Sequence, residues 1–133
     1  MEAIRKYKPR LVVIQFPCTM WSVLQNCTRR EDPSILEGLR QADRPFLTFT
    51  RDIFNEQTSR GDHAMAENPS SAASWQETPI LELRQRFWET TSNMCMFGMI
   101  GKGGQPLFKL VRWVAASEAH RRDGPSLRPH ARA

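Results

Sequence analysis

Read for apolar and polar positions, the chain first singles out Leu11 to Phe16, LVVIQF, in which Gln15 alone is polar. Val12, Val13 and Ile14 are β-branched, and the run is far too short to cross a membrane. Uniform apolarity, without the alternation of a half-exposed strand, predicts a strand buried on both faces of a parallel sheet. Pro17 has no N–H to give to a ladder, so the strand must end there and Cys18 falls in the loop beyond its carboxyl end. That edge is where open α/β sheets hold their ligand sites.

Helical periodicity follows. Asp32-Pro33 reads as an N-cap with proline at the first helical position, and Asp43-Arg44-Pro45 repeats the signal. Leu36, Leu39, Phe46, Leu47, Phe49, Ile53 and Phe54 predict a helix from Pro33 to Ser59, kinked or broken at Pro45, with its aromatic stripe packed on the sheet. Before it, Met1 to Arg10 is a charged lead-in and Val23 to Glu31 reads as a polar loop. After it, Arg60-Gly61-Asp62 makes a turn, and His63-Ala64-Met65-Ala66 forms a short strand leading into Glu67-Asn68-Pro69. A right-handed crossover would set the two strands parallel and bring Cys18 and Glu67 out at one edge.

Ser70 to Ser74 is a small polar loop with Trp75 packed beneath it, and Thr78-Pro79 opens a helix whose apolar face is Ile80, Leu83 and Phe87. Thr91 to Gly98 reads as a third strand, and Leu107 to Ala115 as a fourth, antiparallel to it across the turn Gly101-Lys102-Gly103-Gly104. Those glycines lack the spacing of a phosphate loop and no helix follows them. Met94, Met96 and Met99 are expected to fill an apolar layer.

Length and charge then narrow the classes. The 133 residues suffice for one domain, expected over 1–117, with a basic, disordered tail over 118–133. Nineteen Lys and Arg against fourteen Asp and Glu give a net charge of +5, which favours polyanionic partners. Arg5, Lys6, Lys8, Arg10, Arg121, Arg122, Arg128 and Arg132 concentrate that excess at the two ends. Three cysteines, Cys18, Cys27 and Cys95, have no framework spacing, so reduced thiols and an intracellular location are expected. With His63, His120 and His130 they form neither a C-x-x-C nor an H-x-x-x-H pair, so no metal site is expected. Cys27 and Cys95 are read as packing residues, and His63 as a local hydrogen-bonding group.

Pro17-Cys18 with Ser22 after a buried strand resembles the Pro-Cys nucleophile loop of cytosine-5 DNA methyltransferases, written P-C-Q-x-x-S, and Glu67-Asn68-Pro69 resembles their Glu-Asn-Val segment. Phe97-Gly98, followed by Lys109 and Arg112, is similar to the aromatic-Gly segment and basic strand that come next in that family. From Lys8 to Ser117 the order also resembles the degenerate methyltransferase-like segments of mobile-element polyproteins.

The resemblance implies an α/β fold: a partial Rossmann-like class I methyltransferase sheet, with parallel strands closed by an antiparallel hairpin. It implies Cys18 as the nucleophile that adds to C6 of a flipped cytosine and Glu67 as the partner of the ring's N3. Pro17, Ser22, Asn68, Lys109 and Arg112 would contact or shape the substrate site. DNA is the implied partner and S-adenosylmethionine the implied methyl donor.

Departures qualify this. Phe16 stands where the family often has a first proline, and Thr19 where it has glutamine. The F-x-G-x-G cofactor loop belongs upstream of the first strand, where ten residues precede it. The chain alone is therefore expected not to bind S-adenosylmethionine, and a missing N-terminal half or complementary subunit is an expected partner. The alternative from another class is a non-enzymatic, basic nucleic-acid-binding segment of a mobile-element protein.

Overall fold

The computed structural model describes residues 1–28 and 32–117. A short helix α1 (Glu2–Tyr7) ends at Lys8, whose φ of 45° turns the chain into β1 (Leu11–Gln15). After a 3₁₀ turn at Thr19–Trp21 and helix α2 (Val23–Thr28), α3 (Pro33–Ser59) runs back along the sheet to β2 (His63–Pro69). A second 3₁₀ turn, Ala73–Gln76, leads into α4 (Thr78–Arg86), then β3 (Trp88–Asn93) and β4 (Leu110–Ala116).

The mixed sheet has the order β1-β2-β4-β3. β1 and β2 are parallel, as expected for strands joined by a crossover helix, whereas β4 is antiparallel to both β2 and β3. Helices explain the core. Leu47 and Phe54 of α3 and Ile80 and Leu83 of α4 bury themselves on one face of the sheet against Ala64, Ala66, Val114 and Ala116. The alanines let the helices approach the strands closely, and Phe16 meets Trp75 edge-on at 5.6 Å between ring centroids. Asp32 caps α3, its Oδ1 accepting the Ser34 amide at 3.0 Å. At the other end Gln57 is fully buried, and its Nε2 donates to the carbonyls of Pro9 and His63 at 3.0 and 2.8 Å.

Several sequence expectations need correction. β1 is an edge strand among the described residues, with Leu11 48% and Val13 57% exposed, because there it pairs with β2 alone and the helices cover one face only. α3 is continuous through Pro45; the proline costs one backbone bond, but the helix is fixed by its packed face. Of the aromatic stripe, Leu47, Ile53 and Phe54 are buried, while Phe46 and Phe49, at the margin of that face, are exposed. The segment read as a loop from Val23 begins as helix α2, capped by Ser22, whose Oγ accepts the Leu24 amide at 3.3 Å.

The third strand lies earlier than expected. It ends at Asn93, where Met94–Phe97 curls into a 3₁₀ turn closed by Gly98 at a φ of 80°. Met96 is consequently exposed, not part of an apolar layer. The fourth strand starts at Leu110, so Lys109 precedes it on an exposed loop. Cys27 is also exposed, which removes its packing role. The tail from Glu118, together with Arg29, Arg30 and Glu31, lies outside the described residues. No helix among the described residues is long and apolar enough to cross a membrane.

Candidate functional site at the carboxyl edge

In a parallel pair both strands point the same way, so the loops leaving their ends share one edge. Gln15 is the register partner of Glu67, and the chains leave β1 and β2 side by side from there. Cys18 lies three residues beyond Gln15, within roughly 11 Å of chain. The thiol is exposed, and Cys18 begins the 3₁₀ turn, its carbonyl accepting the Trp21 amide at 3.1 Å.

The cysteine loop is held from three sides. Trp21, 1% exposed, anchors it in the core, with the guanidinium carbons of Arg40 and Arg44 at 5.2 and 5.8 Å from its ring centroid. Arg40 Nε also donates to the Met20 carbonyl at 3.0 Å. Arg44 binds Glu77 through Nε at 2.8 Å and reaches Glu37, and these carboxylates push its guanidinium further toward the charged form. From the sheet side, the buried Asn68 Nδ2 donates to the Phe16 carbonyl at 3.1 Å. Asn68 thus ties the end of β2 to the residue just before Pro17-Cys18.

Glu67 is 93% buried, being 7% exposed. Its Oε2 accepts from Gln15 Nε2 at 2.8 Å, while Oε1 is buried with no hydrogen-bond partner. Strand alternation puts Glu67 on the face away from the helices, in a row with Gln15 and its other register partner, Trp113. The Trp113 indole is held by Ser92, whose Oγ accepts from Nε1 at 2.8 Å. A carboxylate with one satisfied and one orphaned oxygen, beside a fixed flat ring, is equipped to accept an N–H from a planar heterocycle.

The remaining sequence candidates separate into two groups. Pro17 and Asn68 adjoin the cysteine loop, and Ser22 ends it, with its hydroxyl occupied as the cap of α2. Arg112 is the register partner of Asn68 but is held by other groups, and Lys109 precedes β4. Arg112 Nη1 donates to Glu89 at 2.6 Å and its guanidinium lies over Trp75, with Arg84 on the same carboxylate, so its charge is spent inside the fold. Gln15, Arg40, Arg44 and Trp113 escaped the sequence reading. Gln15 had a signal, as the single polar residue of an apolar strand, and Arg40 and Arg44 had one in their spacing of four on a helix. Trp113 had none, since its neighbour across the sheet is set by the register.

The fit of the implied cofactor can be tested on the same loops. The connections Phe16–Ser22 and Ser70–Glu77, which leave β1 and β2, contain no glycine, and Gly101–Gly104 precedes a strand instead of a helix. The described residues therefore do not form a glycine-rich cradle for S-adenosylmethionine. Among them there is also no group of three or more His, Cys, Asp or Glu side chains suited to a metal ion. Comparison with family models, curated proteins and solved structures finds no match.

Proposed function

We propose that the chain is a cytosine-5 DNA methyltransferase-like domain that retains the covalent-addition half of the chemistry, with Cys18 as nucleophile and Glu67 as the partner of the base. The observation that carries this reading is the parallel register Gln15↔Glu67, which sends the Pro17-Cys18 loop and the Glu67-Asn68-Pro69 segment to one edge. The orphaned Oε1 of Glu67 supports it further. The antiparallel closing pair β3–β4 agrees with the expected partial class I methyltransferase sheet.

The chemistry these residues supply is an addition. The Cys18 thiolate attacks C6 of an extruded cytosine, a sulfur–carbon bond forms, and the C5–C6 π electrons move to C5, which takes a proton from water. N3 takes the Glu67 carboxyl proton as the sulfur adds, which keeps the adduct neutral, and returns it to Glu67 when C5 takes its own proton. Expulsion of the thiolate with loss of the C5 proton reverses the step. The described loops do not fit the methyl donor, so these residues supply the addition and not the transfer.

The rival reading, a basic binding segment, draws less support. Every arginine among the described residues has a partner on the chain, those of Arg5, Arg10 and Arg86 at the surface: Arg5, Arg10, Arg44, Arg51, Arg60, Arg84 and Arg112 in ion pairs, Arg40 on Met20 and Arg86 on Asn55.

The test is incubation with a duplex carrying 5-azacytosine, in which the ring nitrogen at position 5 makes C6 more electrophilic and takes the proton as sulfur adds, so the adduct is favoured without a methyl donor. Denaturing electrophoresis and peptide mass should find the DNA on Cys18, none with Cys18→Ser, and roughly 100-fold slower trapping with Glu67→Gln. No adduct with the unaltered chain, or an adduct on Cys27 or Cys95, would overturn the reading.

A further inference from the structure

An edge strand presents a row of backbone N–H and C=O groups without partners, and folds that must stay monomeric blunt it with charge, proline, a bulge or a covering element. β1 uses none of the sequence devices: Leu11-Val12-Val13-Ile14-Gln15 holds no charged residue, proline or glycine. The phase of its ladder is set by the His63 amide, which donates to the Arg10 carbonyl at 2.9 Å. In a parallel pair alternate residues address the neighbour, so Arg10, Val12 and Ile14 face β2. The N–H and C=O groups of Leu11, Val13 and Gln15 point outward, and all three residues are exposed.

The sequence from Glu118 to Ala133 contains Pro125 and Pro129 and a single branched apolar residue, Leu127, so it lacks a strand to match. A second copy of the chain matches by construction. We propose that β1 pairs antiparallel with β1 of a second copy about a twofold axis at Val13, joining the two sheets into one.

In this register Leu11 lies opposite the second copy's Gln15, Val13 opposite the second copy's Val13, and Gln15 opposite the second copy's Leu11. All three are hydrogen-bonded positions of an antiparallel pair, so the outward groups of one edge are satisfied by those of the other. Charge permits it as well. Despite the net charge of +5, Arg10 falls opposite the second copy's Phe16, and the two Arg10 side chains sit at opposite ends of the ladder, roughly 20 Å apart. On the open face, the exposed side chains of Leu11 and Val13 gain apolar neighbours and join Met65 in a continuous strip. The pairing also sets the second copy's Leu11 beside Gln15, the residue that holds Glu67.

So short a ladder makes a small interface, and the expected dissociation constant is on the order of tens of micromolar. Sedimentation velocity from about 2 to about 200 µM should carry the unaltered chain from monomer to dimer. Val13→Pro removes an outward N–H and leaves the β2 ladder intact, so it should weaken association by at least about tenfold with unchanged circular dichroism. Val13→Lys, which adds a charge to each side of the axis, should do the same and serves if the proline variant fails to fold. Amide exchange at Leu11, Val13 and Gln15 should slow as concentration rises. The proposal is overturned if the chain stays monomeric throughout, which would leave the edge to a strand of a different protein. It is equally overturned if a folded Val13 variant associates as tightly as the parent, or if exchange slows elsewhere and not at these amides.

Discussion

Asn68 offers the sharpest test of how the sheet holds the cysteine loop. Its side chain is 1% exposed, and Nδ2 donates to the Phe16 carbonyl at 3.1 Å, two residues before Cys18. Asn68→Ala deletes the donor and leaves a buried acceptor without a partner, since Phe16 itself is 5% exposed. An orphaned buried acceptor costs about 1–3 kcal/mol, and the small cavity left by the amide adds to that. With a urea slope of about 1–3 kcal/mol per molar, the unfolding midpoint should fall by roughly 1 M while the slope stays constant. Asn55→Ala is the control: Asn55 is exposed and its side chain accepts from Arg86 at 2.9 Å, so its loss should change stability by less than about 0.5 kcal/mol. The second readout is the rate at which a thiol reagent modifies Cys18, followed by mass in a Cys27→Ser background, which should change in Asn68→Ala and not in Asn55→Ala. A midpoint within about 0.3 M of the parent, with the Cys18 rate unaltered, would refute the claim that Asn68 fixes the loop.

Trp21, which anchors the same loop from below, should be harder to lose: Trp21→Ala empties a site 1% exposed and is expected to cost about 3–5 kcal/mol, read as a collapsed urea midpoint and lost near-ultraviolet dichroism. Acid should loosen the start of α3. The Ser34 hydroxyl and amide hold the Asp32 carboxyl below its usual pKa, so its stabilising effect is present above the unfolded value of about 4 and is lost as pH falls through the lower folded value. Asp32→Ala should therefore narrow the stability difference between neutral and acid pH, measured by urea titrations at each pH.

Much of the frame was legible because local signals and packing agreed. Asp32-Pro33 and Thr78-Pro79 announced α3 and α4, and the two runs ending in Pro17 and Pro69 announced the parallel pair. The misreadings have physical causes. Leu11 to Ile14 has the composition of a central strand, and composition cannot report how many neighbours a strand finds. Met94-Cys95-Met96-Phe97 is apolar enough for a strand, yet Gly98 in the left-handed region lets the chain curl, with the Gly98 amide donating to the Cys95 carbonyl at 3.1 Å. At the candidate site, Cys18 and Glu67 stood out by their flanking prolines. Trp113 did not, because its place beside Glu67 follows from β4 entering the sheet between β2 and β3, an order that no local pattern encodes.

The length of α3 carries a mechanical consequence. Its 27 residues span about 40 Å, whereas the seven residues of β2 span about 23 Å, so nearly half of the helix overhangs the strands it crosses. The overhang projects past the carboxyl edge, where Arg40 grips the cysteine loop and Arg44 grips Glu77 at the head of α4. The far end is clamped by Gln57 to the chain entering β1 and β2. Because Arg40 and Arg44 sit one turn apart on this overhang, the cysteine loop and the head of α4 are tied to each other through a single stretch of helix.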